Sequence, residues 1–490
     1  MSASFKELHR WDEIIKEHVS SFGLNPYPQE FEICDHHDMI GYMAYSGMPS
    51  HYSHWSYGKN FERQKTLYDY GAAGLPYEMV INSNPCLAYL MRDNTLLLQI
   101  LTIAHVYGHN DFFANNFTFT SGMDAKYTLE MFKNHAKRVN KYIEDPSIGL
   151  VAVETILNHA HAVSLQRSRN LAIKKRSAEE QRMLAWEKAQ IPEDPYWEIH
   201  PKKEYTAPQL NKTPLEPEED LLEFIASHNP YLSEWQRDII RIVDQESRYF
   251  IPQMGTKIMN EGWASYWHHK ILNSLDLDQG LQMEFMVRHN QVLRPTPGGL
   301  NPYHLGFIIW HDIERRWNEG DTGREFTSDK SSKDVKTMDE NDTPGRKKIF
   351  EIRESDRDVS FLRRFLTVDI MRELELFQHE KKGKERIITK VSDEENWETV
   401  KQTLLRNVGT GSIPIIKIED ADFGTNRTLY LKHYHEGRDL QLEYAERTLN
   451  HIGALWEKEV VLETILNNKK SLLKITDGTL KIDHPCKGKV

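Results

Sequence analysis

Two histidines one helical turn apart, His105 and His109, lie in the apolar stretch Leu96-Leu-Leu-Gln-Ile-Leu-Thr-Ile-Ala-His-Val-Tyr-Gly-His-Asn-Asp-Phe-Phe113. An i, i+4 pair places both imidazoles on one face of a helix. A later apolar stretch, Asn260-Glu-Gly-Trp-Ala-Ser-Tyr-Trp-His268, offers Glu261. Two imidazoles and an inward carboxylate from a second helix make a three-ligand site with one coordination position open, the arrangement a catalytic Zn²⁺ needs. Water bound there would have its pKa lowered toward neutrality. The residue after His105 is Val106, so the glutamate base of an HExxH motif is missing. Asp111, Glu78 in Pro76-Tyr-Glu-Met-Val, and Glu154 in Val153-Glu-Thr-Ile are the acids that could accept a proton in its place. Sequence does not rank them. The competing reading makes the histidines core residues donating to carbonyls, with Glu261 paired to Lys257 one turn earlier.

A second group of reactive side chains falls within Met48–Arg63: His51, His54, Trp55, Lys59, Glu62 and Arg63. Such density of donors over aromatic surface suits a polar or carboxylate-bearing ligand, and His51, His54, Trp55 and Lys59 are the expected substrate-binding residues. A rigid polar-aromatic core loop is the alternative. His433 and His435 alternate on an expected strand and read as surface histidines. The basic run Lys381–Arg386 reads as a solvated loop.

The elements that must position these groups follow from periodicity. Phe5, Leu8, Trp11, Ile15 and Val19 recur at helical spacing, ended by Gly23 and Pro26. The Tyr-, Trp- and Gly-rich stretch 41–74 suggests strands and ordered loops. Asn84-Pro85 resembles a helix cap with proline at the first position, and Asp93-Asn94-Thr95 the start of the helix carrying the histidine pair. Gly108 inside that helix lowers its propensity, which implies a backbone packed closely beside it. Between about 166 and 220 the period is lost among prolines and charges, as in a flexible insertion. Order returns at Asp220 and runs through the Glu261 helix to another helix begun by Asn301-Pro302. Residues 319–346 read as a second exposed loop. Beyond about 376, Arg386–Val391, Ile413–Asp420 and Thr428–His435 run or alternate like strands. Gly424 marks a turn, 440–458 a helix, and Val460–Thr464 a further strand.

At 490 residues the chain holds about three domains' worth of sequence at ~150 residues each, or one large domain and a small one. Its 11 Trp, 21 Tyr and 19 Phe concentrate at Tyr27–Phe119 and Trp235–Trp317, which places the main core there. A net charge of −11 argues against general nucleic-acid binding, since nothing offsets phosphate repulsion. The three cysteines, Cys34, Cys86 and Cys486, lack CxxC spacing, which disfavours disulfide scaffolding and thiolate zinc sites. The first residues contain no apolar export segment, and the longest apolar run, Leu96–Val106, is too short to span a bilayer. The expectation is a cytoplasmic protein.

The blocks Gly47-Met-Pro-Ser-His-Tyr-Ser-His-Trp-Ser-Tyr-Gly-Lys-Asn-Phe, Tyr77-Glu-Met-Val-Ile-Asn-Ser-Asn-Pro-Cys, Ala104-His-Val-Tyr-Gly-His-Asn-Asp-Phe-Phe and Ile258-Met-Asn-Glu-Gly-Trp-Ala-Ser-Tyr-Trp-His strongly resemble the stage V sporulation protein R (SpoVR) family. Asn301-Pro-Tyr-His-Leu-Gly-Phe, Lys348-Ile-Phe-Glu-Ile-Arg-Glu-Ser-Asp and Asp358-Val-Ser-Phe-Leu-Arg extend the resemblance over residues 25–460. It implies a bacterial cytosolic protein tied, in spore formers, to the cortex, the modified peptidoglycan layer. In non-sporulating bacteria it implies association with a serine protein kinase and a von Willebrand-type-domain protein under stress. The Glu261-Gly-Trp-Ala block also looks like the third-ligand helix of glutamate-zincin peptidases.

Together these readings give an α+β fold. A large, mainly helical, zincin-like N-terminal domain with some strands is expected over 1–375, and a small α+β domain over 376–490. The expected function is sporulation, specifically cortex formation, through a metal-dependent hydrolase or amide-bond enzyme on a peptide or peptidoglycan precursor. His105, His109 and Glu261 would hold zinc. The rival is a non-catalytic adaptor acting with the kinase and the von Willebrand-type-domain protein.

Overall fold

The computed structural model describes residues 4–72, 74–122, 124–169, 173–189, 212–295, 299–320, 342–382, 385–476 and 478–484. Helix α1 (Phe5–Ser21) buries Leu8, Ile15 and Val19, the stripe its spacing predicts. Strand β1 (Gln29–Cys34) follows, then α2 (His36–Ala44) and α3 (Trp55–Asp69), capped by Asp35 and His54. The stretch 41–74, expected to form strands and loops, is therefore built largely on helices. Its aromatics favour strands by propensity, but the two side-chain caps and the packing they permit override that preference.

Strands β2 (Glu78–Ile81) and β3 (Cys86–Met91) come next. Asn84-Pro85 does not begin a helix: the bond is cis and the chain passes straight into β3. Cys86–Met91 is buried on both faces, as suits the central strand of the order β1-β3-β2. β1 runs parallel to β3 with Gln29 opposite Cys86, and β2 antiparallel with Glu78 opposite Leu90. Thr95 then caps α4 (Leu96–Asn115), as its sequence predicts. After α4 come α5 (Phe117–Gly122), α6 (Thr128–Glu144), α7 (Gly149–Val163) and α8 (Ala178–Ala189). Helix α8 lies within the expected insertion, of which 170–172 and 190–211 are outside the described residues.

Helices α9 (Leu221–His228), α10 (Glu234–Gly255), α11 (Lys257–Ser274), α12 (Gln279–Leu293) and α13 (Pro302–Glu319) complete the middle of the chain. Asn301 caps α13 with Pro302 at its first position, as read from sequence. The loop expected at 319–346 falls mostly outside the described residues. Beyond it are α14 (Pro344–Ser355), α15 (Asp358–Phe365) and α16 (Val368–Glu373). A hairpin, β4 (Phe377–Lys382) and β5 (Glu385–Val391), takes in most of the basic run expected as a solvated loop. Cross-strand pairing, which a local charge count does not register, extends the strands into that run. The chain ends with α17 (Trp397–Asn407), β6 (Ile416–Phe423), β7 (Thr428–His433), α18 (Leu442–Trp456), β8 (Val460–Leu466), β9 (Lys469–Thr476) and β10 (Thr479–Asp483). The fold class is α+β. No described helix is long and apolar enough to cross a membrane.

The chain divides into two compact units, Met1–Asn140 with Tyr249–Ser412, and Lys141–Arg248 with Ile413–Val490. In the first, α4, α11 and α13 pack side by side. Every residue of α4 from Leu97 to Phe113 is buried, so this helix is the spine of the core. A helix buried all round must satisfy its polar side chains from other elements. Gln99 donates to the Met91 carbonyl at 2.8 Å, and Asn110 accepts from the Tyr27 amide at 2.9 Å. In the second unit five strands take the order β10-β9-β8-β7-β6. β7 and β8 are parallel and joined through α18, the long crossover that parallel pairing requires.

Candidate metal centre

Helix contact sets the geometry of the histidine pair. A Cβ added to Gly108 would lie 2.6 Å from Ala264 Cα, so α4 and α11 approach backbone to backbone at this point. On the other side of α11, a Cβ on Gly262 would lie 2.4 Å from Gly306 Cα of α13. Glycine is required at both crossings. His109 follows the first glycine and Glu261 precedes the second, so the two contacts hold ligand-type side chains at a fixed separation.

His109 Nε2 lies 3.4 Å from Glu261 Oε2, and His105 Nε2 lies 3.9 Å from the same oxygen. Glu78 on β2 places Oε1 3.9 Å from His105 Nε2. Ligand atoms of Glu78, His105 and His109 all fall within 4.8 Å of one another. These separations exceed the 2.7–2.9 Å typical of a charge-assisted hydrogen bond. They suit a shared cation: two ligands about 2.0–2.1 Å from a tetrahedral zinc stand about 3.3 Å apart. Glu261 Oε2 is buried and accepts no well-formed hydrogen bond.

The outer ring nitrogens are held from behind. His109 Nδ1 is 2.8 Å from Asn260 Oδ1, an acceptor that takes the Nδ1 proton and leaves Nε2, on the Glu261 side, as the atom that gains a second proton or meets a cation. His105 Nδ1 is 2.9 Å from His268 Nδ1, and Tyr303 lies parallel to the His105 ring at 6.1 Å. Burial would raise the Glu261 pKa, but the two histidines beside it hold it well below the usual carboxylate range. Burial dominates at Glu78 and raises its pKa despite the same histidines. At His109, burial works against the proton, yet Glu261 and Asn260 prevail and the pKa is raised. Two carboxylates around one histidine pair are thus pushed in opposite directions, the pattern that separates an ionised ligand from a proton carrier.

Most of the remaining candidates are held by partners of their own. Asp111 is fully buried and paired to Arg353, both carboxylate oxygens lying 2.8 Å from Nη1. It also accepts from the Asn25 amide at 2.7 Å and the Trp263 indole at 2.9 Å. Its oxygens are committed to structure. Glu154 lies half-buried on α7 in the second unit. His54 caps α3, accepting from the Ser56 amide at 3.3 Å, while His51 meets the Tyr57 hydroxyl at 3.2 Å. Trp55 and Lys59 are exposed, with the ammonium 5.8 Å from the indole centroid. His433, expected at the surface, is buried and bonded at 2.8 Å to Thr464 of the neighbouring strand β8, a cross-strand partner that local alternation does not reveal.

Sequence reasoning missed Asn260, Tyr303 and His289 as parts of this centre. Asn260 and Tyr303 each adjoin a motif, which is the signal that could have found them. His289 sits in an ordinary amphipathic helix and gives none.

The family described as SpoVR like protein matches residues 2–413, and the SpoVR-like C-terminal domain matches 414–467. An "Uncharacterized protein YcgB" of Escherichia coli (strain K12) is 32% identical over 467 residues, covering 90% of this chain and 88% of the relative. No solved structure gives a significant match. Matched by these two family descriptions and by a relative of nearly equal span, the chain belongs to the SpoVR family.

Proposed function

We propose that the chain is a zinc-dependent hydrolase or amide-bond enzyme of sporulation, acting in the cytoplasm on a peptide or peptidoglycan precursor during cortex formation. Family membership supports the sporulation association. The observation that carries the chemistry is the approach of Glu261 Oε2 to both Nε2 atoms, at 3.4 and 3.9 Å, inside a buried centre.

His105, His109 and Glu261 are the ligands, because both Nε2 atoms and the ionised carboxylate converge on one point, 3.9 and 3.4 Å from Glu261 Oε2. The cation would supply a more acidic water and a polarised carbonyl. Glu78, whose carboxylate is raised in proton affinity and lies against His105, takes the role of the missing HExxH glutamate as proton acceptor and donor. Tyr303, stacked on the His105 ring at 6.1 Å, helps to fix the plane of that ligand. Trp55 and Lys59 offer an exposed aromatic face and a cation for a substrate carboxylate. The zincin-like character of the first unit is part of the same proposal.

The test is the metal content of full-length protein purified without a histidine tag or chelator. About one zinc per chain, lost in His109→Ala and Glu261→Gln, is the expected result. Metal-free wild-type protein that is fully folded overturns the reading in favour of an adaptor for a kinase or von Willebrand-type-domain partner.

A further inference from the structure

We infer that His105, His268 and His289 form a tautomer relay, in which His289 on α12 determines whether His105 presents a bare Nε2 to the cation site. The inference rests on the cation reading above and adds a residue remote from the ligands.

His105 Nδ1 lies 2.9 Å from His268 Nδ1, and His268 Nε2 lies 2.9 Å from His289 Nδ1. A neutral imidazole has one N–H and one lone pair, so each contact holds a single proton. Only two arrangements satisfy both contacts. In the outward order, His105 Nδ1–H donates to His268 and His268 Nε2–H donates to His289. His105 Nε2 is then a lone pair. In the inward order, His289 Nδ1–H donates to His268 Nε2, and His268 Nδ1–H donates to His105. His105 Nε2 then carries a proton facing Glu78 and Glu261. Cation binding is compatible with the outward order alone, and no ring changes charge between the two.

The surroundings favour a relay over a chance stack. His268 is fully buried and His289 is 7% exposed. Phe285 and Phe307 flank the His289 ring at 5.7 and 5.2 Å, so water does not readily replace either hydrogen bond. Loss of such an outer partner to a metal-binding histidine costs about 10- to 100-fold in metal affinity.

The experiment uses full-length protein and Zn²⁺ alone. Zinc affinity is measured by competition with a chromophoric chelator for wild type, His289→Leu and His289→Gln, beside thermal unfolding of each. His289→Leu is expected to weaken zinc about 10- to 100-fold, and His289→Gln, which keeps an acceptor, to recover most of the loss. In ¹⁵N-histidine spectra of wild type, zinc is expected to switch His289 from the Nδ1–H to the Nε2–H tautomer. This readout stands even if His289→Leu fails to fold. An unchanged His289 tautomer, or equal affinity in a folded His289→Leu, overturns the relay while leaving the cation site intact. Wild type that binds no zinc overturns both.

Discussion

The backbones of Gly108 and Ala264 approach so closely that a Cβ on Gly108 would meet Ala264 Cα at 2.6 Å. The atom in the way is backbone, so neither helix yields by rotating a side chain. Gly108→Ala would gain up to about 1 kcal/mol of helix propensity. Overpacking at a fixed helix crossing costs about 1–3 kcal/mol. The net expectation is destabilisation, with α4 and α11 pushed apart and zinc affinity lowered because His109 is the next residue. Urea unfolding and zinc titration of the variant check both parts. A variant more stable than wild type with undiminished zinc affinity would refute the crossing as the site's ruler.

The two carboxylates should separate under the same conservative change. Glu261→Gln removes the charge between the Nε2 atoms and is expected to abolish zinc binding. Glu78→Gln is expected to keep zinc at wild-type stoichiometry but fail to restore cortex formation in a spore-forming host lacking the chain. Loss of a positioned acid–base group typically costs about 10²–10⁴ in rate. Zinc analysis of both purified variants, with spore heat resistance as the functional readout, distinguishes the roles. Equal zinc loss in the two would make Glu78 a ligand.

Legibility in the sequence followed the range of the interaction. Thr95, Asn301 and Pro302 mark helix starts because capping is settled within three or four residues. The His105–His109 face is legible for the same reason, and Gly108 announced a close neighbour without naming Ala264. Helices α2 and α3 were not legible although Asp35 and His54 cap them just as locally, because the aromatic composition there favours strands and outweighs the cap signal. His289 joins His268 from another helix, and His268 meets His105 across 163 positions. No periodicity near any one of the three encodes that chain. The ion pair of Asp111, a candidate base by sequence, was likewise hidden, because its partner Arg353 lies 242 positions away.

That ion pair gives a stability prediction opposite to a catalytic one. Arg353 and Asp111 are both buried, so removing one leaves an uncompensated charge in the core. Breaking a buried pair typically costs about 3–5 kcal/mol. Arg353→Met and Asp111→Asn are each expected to lower stability on that scale, and the double variant by less than the sum. Urea denaturation of the three proteins measures it. An Asp111→Asn protein of wild-type stability and no function would restore Asp111 as a catalytic candidate.

Acid sensitivity should trace to the histidines behind the centre. Burial holds His311 down at about 4 and His289 at about 3, against an ordinary 6.5. Both are neutral in the fold and take up protons readily only when the chain unfolds. The unfolded state therefore binds more protons below pH 6.5, and stability falls with pH from about 6.5 toward 4. At pH 7 and above, these groups contribute no pH dependence. His311 packs against Phe307 at 4.4 Å and Tyr266 at 4.8 Å, so phenylalanine is a reasonable replacement for its ring. His311→Phe is expected to flatten the stability profile between pH 6.5 and 4 while leaving the midpoint at pH 8 close to wild type. Urea midpoints across that range check it, and a variant as acid-sensitive as wild type would show that His311 is not among the groups that drive acid unfolding.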